Sequence, residues 1–218
     1  MKKKIVLIVL QVLLAAGAIG LIYWLSVIIA TPIMFEDELA TRKSAVIERI
    51  KDIRTAERQF KAKHQRFTAD FDSLINFILN ETMEGERKLI DEDDSVAMAQ
   101  AKKKFGKKFK NVEKFKYSVK DSIFKHLTIE QVKELRYVPF TDNKTEFILR
   151  AGMLETNSKV VIPVVECKAP YISFLDTVKY RQEIINLVDN MTKNFNKYPG
   201  IMFGSLERGS NEAGNWEE

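Results

Sequence analysis

Few residues in this chain combine a reactive type with a spacing that does chemistry. Ser122-Ile123-Phe124-Lys125 has the Ser-x-x-Lys spacing in which a lysine lies one helical turn from a serine nucleophile. Acyl-enzymes of that kind also carry Ser-x-Asn and Lys-Thr-Gly elements, which the chain lacks. The only thiol, Cys167, sits in the apolar stretch Val164-Val165-Glu166, which predicts a buried, inert side chain with no base beside it. The two histidines, His64 and His126, are far apart in sequence and have no cysteine partners, so a zinc site is not expected. His64 falls in a polar turn, where a proton-relay role has no support. Asp91-Glu92-Asp93-Asp94 has carboxylates for calcium but lacks the glycine and distal glutamate of an EF-hand loop. No phosphate-binding glycine loop, Gly-x-Ser-x-Gly or His-Glu-x-x-His occurs. The expectation is a non-enzymatic chain with no cofactor and no metal.

What would position such residues is clearer than the chemistry. Lys2-Lys3-Lys4 precedes an apolar run of 26 residues, Ile5 to Ala30, whose clearly polar members are Gln11 and Ser26. At about 1.5 Å per residue such a helix exceeds the roughly 30 Å hydrocarbon core of a bilayer. A cleavable signal peptide has an apolar region of only about 7–15 residues, so an uncleaved single-pass anchor is the expectation. Tyr23 and Trp24 suit a membrane–water interface. The lysines before the run, against Glu36-Asp37-Glu38 after it, orient the N-terminus to the cytoplasm and the rest outside it. Ala16 and Gly20 form a small-xxx-small pair, and Gln11 is a lone amide in the span. These three are candidates for packing against another membrane helix.

After Thr31-Pro32, where a kink or a new helix is expected, Leu39, Val46, Ile53 and Phe60 recur every seven residues, with Ile47 and Ile50 beside them. Arg42, Lys43, Glu48, Arg49, Lys51, Asp52, Arg54, Glu57 and Arg58 fill the positions between. This predicts one apolar stripe and a charged back. Lys43 and Glu57 occupy intervening seam positions, which favours a helix laid on its own domain's sheet over a self-standing coiled coil.

The segment from Asp52 to Phe67, followed by Asp72-Ser73-Leu74, resembles the amphipathic half of a type IV pilin or pseudopilin, and the similarity runs over about residues 5–80. The resemblance implies a long N-terminal helix, apolar first and amphipathic later, packed on an antiparallel sheet. The family's peptidase signature, a Gly cleavage point followed by Phe and a Glu, is absent, and nothing acidic lies between Met1 and Phe35.

Beyond Phe67, Thr68 or Asp70 is expected to cap a short helix carrying Phe71, Leu74, Ile75 and Ile78. Residues 81–94 have a net charge of −5 and residues 102–120 a net charge of +8. A helix from Ser95 to Lys104 would place its acids and lysines as the helix dipole prefers. Phe105, Phe109, Phe115 and Tyr117 interleave with the lysines and are expected to face the core. Lys102, Lys103, Lys104, Lys107, Lys108 and Lys110 are candidate ligands for anionic lipid or an envelope glycan. A short helix from Thr128 to Leu135 follows. Strands are expected at Arg136–Phe140, Thr145–Leu154 and Val160–Cys167, the last at an edge or with a bulge because of Pro163. A helical region opened by Pro170 runs to about Phe195, and Ile201-Met202-Phe203 makes a last strand.

The reading is therefore α+β, with a basic tip (1–4), an anchor (5–30), an amphipathic spine (31–67), an extracytoplasmic domain (68–206) and a mobile tail (207–218) in which Trp216 alone is placed to dock. The expected protein is a single-pass inner-membrane component of a bacterial envelope with a structural, assembly or scaffolding role. Its partners would be other envelope proteins or further copies of itself, and not nucleic acid. The alternative is a binding module that uses the lysine segment.

Overall fold

A computed structural model describes residues 2–91, 93–105, 111–209 and 211–217. The chain is α+β: one long N-terminal helix and two small antiparallel sheets, with short helices between them. Helix α1, Lys2–His64, runs without a break through Pro32, so proline starts no new helix there. Pro32 lacks the N–H that would bond one turn back, while Thr31 Oγ1 donates to the Val27 carbonyl (2.8 Å) and Ser26 Oγ to the Ile22 carbonyl (2.8 Å).

The two halves of α1 meet different surroundings. From Leu10 to Met34 no residue is buried, and Phe35 is the first that the rest of the chain covers. From there Val46, Ile50, Ile53, Ala56 and Phe60 are buried, with Leu39 and Ile47 packed at their margin. The seven-residue spacing thus marks the core stripe. α1 ends where Gln65 turns left-handed (φ 59) and donates to the Lys61 carbonyl (2.8 Å).

Asp70 then caps α2, Phe71–Asn80, accepting from the backbone of Asp72 and Ser73 and from the Ser73 hydroxyl (2.6 Å). Phe71, Leu74, Phe77 and Ile78 face the core. Asp70→Ala is expected to cost about 1 kcal/mol, measured as a lower denaturant midpoint. The chain next forms a hairpin, β1 (Thr82–Lys88) with β2 (Val112–Ser118), with α3 (Ser95–Phe105) in the connection. Short helices α4 (Val119–Ser122) and α5 (Ile129–Lys133) follow, the latter opened by a Thr128–Gln131 capping box.

The larger sheet has the order β3 (Ile148–Glu155), β4 (Val161–Pro170), β5 (Gly200–Gly204), all antiparallel. Helices α6 (Tyr171–Phe174) and α7 (Arg181–Asp189), with a π-turn over Asn190–Asn194, connect β4 to β5. The spine lies on this sheet through β5, whose Ile201 and Phe203 are buried.

Three expectations change. Arg136–Phe140 is not a strand: Glu134–Arg136 is a 3-10 turn and Tyr137 makes an isolated bridge to Glu146. β4 is the central strand rather than an edge. Pro163 is accommodated because it pairs with Met153 of β3, beyond the reach of β5, which covers only Glu166–Pro170. Residues 211–217, expected to be mobile, fold back on the body. Gly204 N–H donates to the Ala213 carbonyl (3.0 Å), Asn215 N–H to the Met202 carbonyl (3.0 Å), and the Arg54 guanidinium lies 5.4 Å from the Trp216 ring centre. Arg54 also pairs with Glu217 (2.7 Å), while Arg58 and Lys61 pair with Glu212. Part of the charged back of the spine is therefore an internal docking surface.

Candidate functional site

The residues singled out for chemistry are not brought together. Ser122 and Lys125 are both exposed at the end of α4 and in the turn after it. Cys167 is fully buried on β4, and burial first, then the Glu57 and Glu166 carboxyls, push its thiol well above the usual range. His64 stacks on Phe60 (ring centres 4.4 Å apart) and its Nε2 lies 3.3 Å from Glu81. Among the described residues no cluster of three or more His, Cys, Asp or Glu has metal-binding geometry. Asp94 instead caps α3, its Oδ1 accepting the Ala97 N–H (2.9 Å).

Two constellations were not visible in the sequence. His126 Nε2 lies 3.1 Å from Asp52 on the spine, at a shallow groove with Arg49, Glu48 and Gln131. Burial pushes the Asp52 carboxyl up, and His126 pulls it partly back. No nucleophilic serine, threonine or cysteine lines that groove. The second is Glu57, which the helical pattern placed among charged positions but which is fully buried. Its Oε2 accepts the Thr68 N–H (3.1 Å), fixing the turn that follows α1, and its Oε1 has no partner among the described residues. Burial, only partly opposed by that bond, pushes its carboxyl up to about 8. It is a neutral acid clamped inside the core.

The lysine segment is split. Lys103 and Lys104 are exposed on α3, while Lys107, Lys108 and Lys110 lie outside the described residues, as does the side chain of Lys102. The rest of the segment forms β2. There Lys114 pairs with Glu86 (3.4 Å), Glu113 with Arg87 (2.7 Å), and Lys116 lies opposite Glu84. β1 and β2 thus set acidic and basic side chains against each other across the hairpin, while Asp91, Asp93 and Asp94 lie in the connection after β1. Phe115 and Tyr117 do not enter the core as expected. Phe115 is exposed, and the two rings lie 5.9 Å apart beside Gly85.

The hairpin is rooted at the end of the spine: Lys63 pairs with Glu81 (2.7 Å) and donates to the Thr82 carbonyl (2.8 Å). From Ala30 to Lys63 α1 advances about 50 Å. The arm's root is therefore remote from the apolar span. At the other end, Gln11, Ala16 and Gly20 are exposed, and nothing in the described chain lies within 4 Å of a Cβ built on Gly20. Among the described residues, only α1 is long and apolar enough to cross a membrane. Compared with protein-family models, curated proteins and solved structures, the chain matches none.

Proposed function

We propose that this chain is a single-pass, membrane-anchored scaffolding or assembly protein of a bacterial cell envelope, non-enzymatic and built on a pilin-like plan. The observation that carries this reading is the unbroken α1, uncovered from Leu10 to Met34 and a core element from Phe35 onward. An uncovered apolar helix of that length is stable in a bilayer and costly in water. Its second half is integral to the body, so one continuous helix joins the apolar stretch to the domain without a linker. The lysines before the span and the acids after it orient the body outside the cytoplasm.

The chain should resist alkaline carbonate extraction, and external protease should cut the body in spheroplasts while intact cells protect it. Crosslinking in native membranes is expected to recover a partner protein or a second copy; recovery of monomer alone would count against the assembly role. The arm at the far end of the spine favours, as a second reading, recognition of a partner or glycan away from the anchoring bilayer. The remoteness of its root weighs against headgroups of that bilayer as the ligand. Lys103→Glu is then expected to weaken glycan binding in a pull-down and to leave membrane attachment unchanged.

A further inference from the structure

The part of the body nearest the apolar span is itself apolar and uncovered. Phe35, the first buried residue of α1 from Leu10 onward, is covered by Tyr180, their ring centres 5.4 Å apart. Tyr180 ends a turn whose preceding residues include Val178, 92% exposed, and Lys179, which reaches Glu38 (3.8 Å). The turn is rigidly made: the Asp176 carboxylate accepts the N–H groups of Val178 (3.0 Å) and Lys179 (2.9 Å). The Arg42 guanidinium donates to the Phe174 carbonyl (2.5 Å), fixing the chain just before the turn to the same stretch of α1. Ile172, Thr177, Val178, Arg181, Ile184 and Ile185 line one groove, in which Ile172 and Ile185 are also exposed.

The geometry points to a docking face for the lipid headgroup layer of the membrane that α1 spans, with Ile172, Val178 and Ile185 dipping into it; the inference rests on the anchor reading. The uncovered stretch of α1 runs from Leu10 to Met34 and ends at Phe35. Phe35 and Tyr180, both buried, then mark the level at which the body begins. Ile33 and Met34, exposed immediately before Phe35, make the apolar surface continuous from the span to that level. An apolar face of this kind enters the headgroup–acyl boundary by about 5–10 Å. Lys179 is offset locally by Glu38 and Asp176, and Ile172, Val178 and Ile185 carry the attraction, which does not require anionic lipid.

The test uses the full-length chain in phosphatidylcholine vesicles, with an environment-sensitive fluorophore on Val178→Cys and, as a control on the distal hairpin, on Glu84→Cys. Cys167 is buried and protected from labelling. The expected result is a blue-shifted probe at 178 that is quenched by doxyl groups carried on shallow positions of the lipid, with neither effect at 84. A chain that resists carbonate extraction but whose two probes behave alike would overturn the docking face and leave the anchor standing. A blue shift without lipid quenching would overturn it too, because protein, a second copy included, would then cover the face. A chain that carbonate releases would overturn the anchor reading, and the docking face with it.

Discussion

Glu57→Gln is expected to remove most of the decline in stability that the parent chain shows as pH rises from about 4.5 to about 8. Glu57 begins to lose its proton near 4.5 when unfolded but only near 8 in the folded core. Between those values the folded state holds one more proton than the unfolded state, so the free energy of unfolding falls with rising pH. The slope is about 1.4 kcal/mol per pH unit, and the loss across the window is about 5 kcal/mol. Below 4.5 the proton is held in both states and this contribution is constant. Glutamine keeps an oxygen to accept the Thr68 N–H and cannot ionise. Urea unfolding at pH 5 and pH 8.5 is the measurement: the variants should nearly coincide at pH 5 and separate at pH 8.5, with glutamine the more stable. Parallel pH profiles for the two chains would show that Glu57 has the same affinity for its proton folded and unfolded.

The second large effect is expected at the end of β5. Gly204 has φ +73, a conformation in which an L side chain is strained, and an added Cβ would lie far inside contact of the Val165 carbonyl oxygen. Neither neighbour can yield easily, because Gly204 pairs with Glu166 and its N–H holds the Ala213 carbonyl. Gly204→Ala is therefore expected to cost at least about 3 kcal/mol, by combining backbone strain with separation of β5 from β4. Gly152→Ala, where the nearest atom to an added Cβ is Leu206 Cδ2 at 4.0 Å, should change little. Thermal unfolding of the two variants distinguishes a local steric cause from a general weakness of the sheet, which would lower both equally.

The spine was legible because its signal is periodic and redundant: Val46, Ile53 and Phe60 fall on one stripe, and each is buried. Strand β4 was legible for a similar reason, since Val164, Val165 and Cys167 are apolar and interior. The β1–β2 hairpin was not, because Thr82–Lys88 and Val112–Ser118 bury no residue, and their backbone ladder is flanked by exposed ion pairs instead of an apolar face. Glu57 and the tail were misread for a common reason. A charged type does not by itself mark solvent: Glu57, at a seam position of the heptad, is neutral inside the core, and Arg54, Arg58 and Lys61 receive Glu212 and Glu217. Of the residues proposed for chemistry, the sequence identified types correctly but not neighbours: the Asp52–His126 pair spans 74 residues, and no local pattern predicts it.

Anchored as proposed, the unbroken α1 also makes the protein a lever. A transmembrane helix tilts on average by about 20°, and with no joint at the membrane surface the same tilt carries through to the arm at His64. Over about 50 Å that angle displaces the hairpin sideways by about 17 Å. A thicker or thinner bilayer, by changing the tilt, would then alter which neighbours the arm meets, while a seated Val178 turn would hold the lever at one angle.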